Sequence, residues 1–347
     1  MTSLFSSFTL KGLELKNRVV MSPMVTVRAE IGTGEVNNWH HVHYLSRIIG
    51  GVGLVMMEST AVASNGMTDP QDLGLYNDIQ EEKLTKLVKE AHELDGKVAI
   101  QLNHSGRKAP TDENMVAPSA IPFYESGVTP KELTYDEIQE MINHFKTSTE
   151  RAVRAGFDAI ELHAAHGYLV EQFLSPLSNH RNDEYGGSFE KRLQFAIDVI
   201  KAMKSVMPKS MPLFMRVSAT EYDENGYGIK EMVEMCQVFK EHGVDIIDVS
   251  SGGAVPTAPQ VIYPGYQLPF SNEIKQHASI PTIAVGKLEE PHLAENALQT
   301  NQADLIAIAR GLLRNPYWTI EAALKLGVNA PIDISYTSAY PNNTFED

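Results

Sequence analysis

The sequence predicts a single closed (β/α)8 barrel, also called a TIM barrel, and three observations carry that expectation. Eight short β-rich runs recur along the 347 residues, and amphipathic helical patterns fill the gaps between them. Several of the runs are apolar at nearly every position, as in Gly53-Leu-Val-Met-Met57 and Leu305-Ile-Ala-Ile-Ala309. A strand in a parallel sheet is covered on both faces, so it reads as an unbroken run rather than an alternation. Eight such units with no shift in composition between them fit one barrel over residues 1–347. The rival is a doubly wound sheet, which opens its first helix with G-x-G-x-x-G. No such string occurs, and Gly32-Thr-Gly34 and Gly51-Val-Gly53 lack the third glycine.

In chain order, Leu4–Asn17 reads as a short hairpin that caps the barrel bottom over residues 1–17. The predicted strands are Val19–Met21, Leu54–Glu58, Val98–Leu102, Ala159–His163, Leu213–Ser218, Ile246–Ser250, Thr282–Val285 and Leu305–Ile308. Helical patterns cover Trp39–Ile49, Glu81–Leu94, Lys230–His242, Ser271–Gln276, Pro291–Leu298 and Tyr317–Leu326. Thr134-Tyr-Asp-Glu137 forms a capping box, after which Ile138, Met141, Ile142, Phe145, Ala152 and Val153 trace an apolar face that stops at Gly156. Ser188 likewise precedes Leu193, Ala196, Ile197 and Ile200. The connections 103–130, 164–187 and 252–270 exceed the usual length, which marks them as rim loops around a site. Residues 327–347 are read as a C-terminal tail.

Composition narrows the classes of function. With 29 Lys and Arg against 44 Asp and Glu, the formal charge is −15, which argues against nucleic acid or an anionic membrane as a partner. The one cysteine, Cys236, lies among Met232, Met235 and Phe239 at helical spacing and reads as a core thiol. The first residues carry neither a basic segment nor a long apolar one, so the expectation is a cytoplasmic protein without a leader.

In a barrel of this kind, chemistry collects where strands run out into the following loops. Those points are Ser22-Pro23-Met24, Glu58-Ser59-Thr60, Gln101 with Asn103-His104, His163, Arg216, Ser250-Ser251, Gly286-Lys287 and Ala309-Arg310-Gly311. The ends of strands seven and eight, Val285-Gly286-Lys287 and Ala309-Arg310-Gly311, match the place where barrels commonly hold phosphate. His163-Ala-Ala-His166-Gly-Tyr168 is the sharpest cluster. Two imidazoles three residues apart can direct two donors at one carbonyl oxygen, and Tyr168 beyond them can deliver a proton to the adjacent carbon. The same pair also matches two ligands of a metal site, which would want a further histidine or carboxylate, and Glu161 does not decide the matter. Arg216 at a barrel mouth requires an anionic partner, a carboxylate or a cofactor that accumulates negative charge. The carboxylates Glu221 and Asp223 lie in a turn-rich polar stretch and read as a solvated surface pair.

Taken together, Asn17-Arg-Val-Val-Met-Ser-Pro-Met24, Gln101-Leu-Asn-His-Ser-Gly-Arg-Lys108, Ala117-Pro-Ser-Ala120, His163-Ala-Ala-His-Gly-Tyr168, Ser175-Pro-Leu-Ser-Asn-His-Arg181 and Asp183-Glu-Tyr-Gly-Gly-Ser188 resemble the Old Yellow Enzymes. The bacterial NADPH dehydrogenase branch is the most similar, and the match runs in order from about Leu4 to Asn315. The resemblance implies an oxidoreductase that holds FMN tightly and non-covalently and takes NADPH or NADH as a transient reductant. It also implies reduction of the C=C bond of an α,β-unsaturated carbonyl, with hydride from flavin N5 to Cβ and a proton to Cα. Carried over, it gives Ser22, Pro23, Met24 and Val25 to the isoalloxazine, and Ser59 and Gln101 to its polar edge. Arg216 would stabilise negative charge on the reduced flavin, and Val285, Gly286, Ala309 and Arg310 would hold the phosphate. His163 and His166 would grip the substrate carbonyl and Tyr168 would donate the proton, with Lys108 and Val27 beside the substrate. No metal is implied.

Three departures from the branch stand out. It usually carries cysteine where this chain has Val25 and an active-site tyrosine at the position of Val27. It also sends an arginine from near the C-terminus into a neighbouring subunit's site, whereas residues 332–347 contain neither Arg nor Lys. A homo-oligomer is therefore a possible partner without that shared arginine. The alternative activity on the same fold is reduction of free flavins or quinones, with weak ene reduction. A metal-dependent barrel hydrolase and a flavin-binding protein without turnover are the readings from other classes.

Overall fold

The computed structural model describes residues 2–110, 115–256 and 261–340. The chain enters through a two-stranded antiparallel hairpin, Phe8–Leu10 against Leu13–Leu15. Eight units of strand and helix then follow in order: β1 (Val19–Met21) and α1 (Asn38–Ile49), β2 (Leu54–Ala61) and α2 (Asp78–Glu93), β3 (Val98–Asn103) and α3 (Tyr135–Ala155), β4 (Ala159–Ala164) and α4 (Phe189–Lys204). They continue with β5 (Leu213–Ser218) and α5 (Ile229–Glu241), β6 (Ile246–Ser250) and α6 (Leu268–Ala278), β7 (Thr282–Ala284) and α7 (Pro291–Gln299), and β8 (Leu305–Ile308) and α8 (Trp318–Leu326). Every strand pairs in parallel with the next, and β8 pairs in parallel with β1 through Ile306↔Val19 and Ile308↔Met21, so the sheet closes. All eight predicted strands lie where the apolar runs placed them.

Alternation along each strand sorts the side chains into two cores. Outward residues such as Val55, Met57, Ile100, Ile160, Leu162, Met215, Val217 and Ile247 join the helices in one large cluster. Inward residues Val20, Leu54, Met56, Ala99, Ala159, Phe214, Ile246, Ile283 and Leu305 form a second cluster, closed from below by Leu13 and Leu15 of the hairpin. The hairpin thus plugs the barrel bottom, and Leu13 and Leu15 are each only 2% exposed. Two residues further along β3, β4, β5 and β6 the inward positions turn polar: Gln101, Glu161, Arg216 and Asp248, all buried.

Three details differ from the sequence reading. Helix α2 starts three residues earlier than predicted because Asn77 caps it in a reciprocal box with Gln80. Helix α6 extends beyond Ser271–Gln276 at both ends, with Pro269 in its first turn and Ser279 in a left-handed conformation closing it. Two short helices, Leu169–Leu174 and Arg310–Arg314, sit in the loops after β4 and β8. The tail has a 3-10 turn at Ile334–Ala339, and the rest of it, 341–347, lies outside the described residues.

Candidate active site

The loop after β1 carries Ser22, Pro23, Met24, Val25, Thr26 and Val27 along one side of the barrel mouth. Glu58, just beyond the apolar part of β2, pins it: its carboxylate accepts the Thr26 N–H at 2.8 Å, the Thr26 hydroxyl at 2.8 Å and the Tyr44 hydroxyl of α1 at 2.7 Å. Glu58 is fully buried, and burial pushes its carboxyl up to about 7. Pinned in this way, Val25 and Val27 stand 37% and 38% exposed at the mouth. Val27 has φ +53°, a left-handed conformation that is a genuine outlier for a β-branched residue.

Strand β2 pairs with β3 through a register shift between Met57 and Ser59. This bulge turns Ser59 inward, opposite Gln101, where its hydroxyl accepts from Asn103 Nδ2 at 3.0 Å. Gln101 donates through Nε2 to Glu161 Oε1 at 2.8 Å. Across the next strand, Arg216 Nε faces Asp248 Oδ2 at 3.4 Å. Ser59, Gln101 and Arg216 thus lie buried along β2, β3 and β5, and Ser22 is buried just beyond β1.

At the ends of β7 and β8 a cleft of about 130 Å³ is lined by Arg216, Ser250, Gln267, Val285, Gly286, Ala309 and Arg310. Gly286 has φ +122°, and a Cβ there would come within 3.1 Å of Gln267 Nε2 and the Tyr266 ring. Backbone can therefore approach a ligand at this point. Three cations border the cleft, the exposed Arg310, the half-buried Lys287 and the buried Arg216, together with one half-buried carboxylate, Glu289. This donor set fits the phosphate and the electron-rich edge of FMN, because it offers bare backbone at the glycine turn and three cations against the single carboxylate of Glu289.

His163, His166 and Tyr168 come together above β4. The His163 ring lies 5.1 Å from that of His166 and 5.0 Å from that of Tyr168, edge to face in both pairs. His163 Nδ1 accepts the Ala165 N–H at 3.2 Å, so its proton resides on Nε2. His166 Nδ1 is 3.4 Å from His163 Nε2, and its Nε2 meets Ser250 Oγ at 2.7 Å. Burial drives both imidazoles well below their usual range, helped by the charges of Arg216 and Lys108, so both are neutral. Burial raises the Tyr168 phenol and keeps it protonated. His166 itself has φ +60°, and its turn is held on several sides. Ser218 Oγ accepts its N–H at 2.9 Å, Lys108 Nζ donates to its carbonyl at 2.7 Å, and Gly253 approaches so closely that a Cβ there would lie 2.6 Å from His166 Cα. Burial pulls Lys108 down to about 8, and its ammonium lies 4.9 Å from the centre of the Tyr168 ring.

One expectation is corrected here. Glu221 is not a solvated surface group. It is fully buried and accepts the Tyr227 N–H at 2.8 Å, while Tyr227 OH donates to Glu171 at 2.5 Å; Asp223 alone is exposed. A loop closed by such distant partners cannot be recognised from local polarity. Sequence reasoning placed Glu58 and Ser250 at strand ends without giving them a role, and it passed over Asp248 and the partnership of Glu161 with Gln101. The available signal was the ionisable or amide side chain that interrupts an otherwise apolar strand, as Glu161 does in Ala159–Ala164 and Asp248 in Ile246–Ser250. Among the described residues no three His, Cys, Asp or Glu side chains are arranged to hold a metal ion. Among them, too, no helix is long and apolar enough to cross a membrane.

Comparison with known proteins shows the family. The NADPH dehydrogenase of Geobacillus sp. (strain WCH70) is 47% identical over 335 residues, covering 96% of this chain and 98% of its own length. That of Clostridium acetobutylicum is 47% identical over 340 residues, covering 97% and 99%. Among solved structures, morphinone reductase superposes with a TM-score of 0.79 at 26% identity, covering 99% of this chain and 96% of its own. The Old Yellow Enzyme homologue from Zymomonas mobilis shares the fold with a TM-score of 0.79 at 24% identity, covering 99% and 100%. The family model described as NADH:flavin oxidoreductase / NADH oxidase matches residues 3–329. The chain therefore belongs to that family, the Old Yellow Enzyme relatives, as an FMN-dependent oxidoreductase that draws its electrons from NAD(P)H.

Proposed function

We propose that this enzyme reduces the activated C=C bond of α,β-unsaturated carbonyl compounds. The observation that carries the reading is the neutral pair His163 and His166, whose Nε2 and Nδ1 stand 3.4 Å apart with the Tyr168 ring beside them. His163 presents Nε2–H because Nδ1 is occupied by the Ala165 amide. When the Ser250 hydroxyl donates to His166 Nε2, the imidazole proton moves to Nδ1, and two N–H groups face one point. A carbonyl oxygen seated there is polarised as negative charge develops on it. Tyr168, held protonated, supplies the proton to the carbon next to that carbonyl. Ser22, Pro23, Met24, Val25, Ser59, Gln101 and Arg216 would hold the flavin ring, and Val285, Gly286, Ala309 and Arg310 its phosphate. FMN, when bound, supplies the hydride chemistry between the nicotinamide and the acceptor. Lys108 and Val27 would border the substrate.

The partners in this reading are a nicotinamide coenzyme and a small enone met in the cytoplasm by one FMN-binding barrel domain. A homo-oligomer is checked by light scattering. An anaerobic visible spectrum tests the activity: bleaching by NADPH or NADH and recovery with cyclohexenone are expected. His163→Ala should bleach normally and recover about 100-fold or more slowly. The second reading, a flavin or quinone reductase, is favoured by the apolar Val25 and Val27 at the mouth. It predicts bleaching with recovery on a quinone but not on the enone.

A further inference from the structure

The polar layer inside the barrel contains more charge than the reaction needs. Arg216 on β5 is flanked by two strands, each bringing one carboxyl inward: Glu161 from β4 and Asp248 from β6. Both acids are essentially inaccessible to solvent, and one buried guanidinium is their shared counter-ion. Below them lies the apolar cluster of Ala99, Ala159, Phe214 and Ile246, which offers nothing to solvate a second negative charge. Above them lies the cleft that Arg216 lines. The contacts are partial on each side: Glu161 uses Oε1 for Gln101, while Glu161 Oε2, Asp248 Oδ1 and Arg216 Nε have no hydrogen-bond partner within the protein. Two carboxylates and one cation in so dry a place cannot all stay ionised without a large desolvation cost.

We infer that Glu161 and Asp248 are positioning residues that share one proton and present a single negative charge beneath the flavin, lowering the reduction potential of bound FMN. The inference rests on the placement of FMN over Gln101 and Arg216 given above. Burial and the mutual repulsion of the two carboxyls raise Glu161, and burial raises Asp248, while Arg216 opposes both shifts; this agrees with one retained proton. The other charged or titratable groups around the pair are Arg216 on the strand between them and His163 on β4 above Glu161. The His163 ring is neutral, which leaves Arg216 as the cation that the pair partly offsets. Glu161 also fixes the Gln101 amide by accepting from Nε2.

The test is a redox titration of FMN-loaded wild type, Glu161→Gln, Asp248→Asn and the double variant. In either single variant the remaining carboxyl takes up the charge, so the potential should stay near that of wild type. The double variant removes the charge and should favour reduced FMN at least tenfold, about 30 mV for a two-electron couple. A double variant at the wild-type potential overturns the inference, and so do single shifts that add up to the double shift. Infrared spectra at neutral pH supply a second readout should the double variant fail to fold. Each single variant should lose one protonated-carboxyl band, because Glu161→Gln removes a carboxyl and Asp248→Asn leaves its partner ionised. Retention of that band in both singles overturns the shared proton. If Arg216→Leu leaves both FMN affinity and potential unchanged, the placement of the flavin is at fault rather than the pair.

Discussion

Val27 combines two features that are rarely found together: a β-branched side chain and φ +53°. Steric cost in that region is about 1–2 kcal/mol for an L-residue, and asparagine tolerates it better. Val27→Asn is therefore expected to raise stability by on the order of 1 kcal/mol, read as a higher urea midpoint with unchanged slope. Val25, two residues earlier, offers no hydrogen-bond donor to the flavin that the proposed function places beside it. Val25→Cys is expected to raise the FMN midpoint potential and speed NAD(P)H oxidation; an unchanged potential would remove Val25 from the account. At this scale the sequence was informative about identity and silent about conformation. His163, His166 and Tyr168 stood out by spacing alone. The φ values of Val27 and His166 depend on Glu58, Ser218, Lys108 and Gly253, which are far away in the chain.

Elements were legible wherever burial acts on both faces of a strand or one face of a helix, which is why the eight strands and the Thr134 and Ser188 caps lie as read. The bulge in β2 was not legible, because a register shift is a property of the pairing with β3 and not of either segment. It is the bulge that lets neighbouring residues serve different sides, Glu58 bonding to Tyr44 of α1 and Ser59 turning inward. Glu58 couples this arrangement to pH. Its folded pKa, about 7, lies above the ordinary 4.5, so the native state holds the proton longer than the unfolded chain. The contribution is greatest below about pH 4.5 and is lost as pH rises through about 7. Glu58→Gln cannot titrate and should gain stability relative to wild type between about pH 5 and 8, on the order of 2–3 kcal/mol. Parallel denaturant titrations at the two pH values check this, and a constant difference would refute it.

Across the whole molecule, chemistry and stability occupy opposite ends of the barrel. The hairpin fills the bottom with Leu13 and Leu15, and the loops build the site at the top. Leu15→Ala should cost about 2–5 kcal/mol and lower the melting temperature while leaving FMN content and potential unchanged. The polar middle layer separates these ends, and its pairing was hidden because Gln101, Glu161, Arg216 and Asp248 come from four strands spread over nearly 150 residues of sequence. Closure of β8 onto β1 has a consequence for how the molecule is made. Arg18, beside the first strand, donates to Asp304 O at 2.9 Å and its carbonyl accepts the Ile306 N–H at 3.0 Å, so an early segment that pairs with β2 on one side acquires its second partner only after nearly the whole chain has been synthesised. Until then the other side of Val19–Met21 remains an unpaired apolar edge, open to other nascent copies. The last strand works as a latch, and any delay in reaching it prolongs the interval in which this protein is most prone to aggregate.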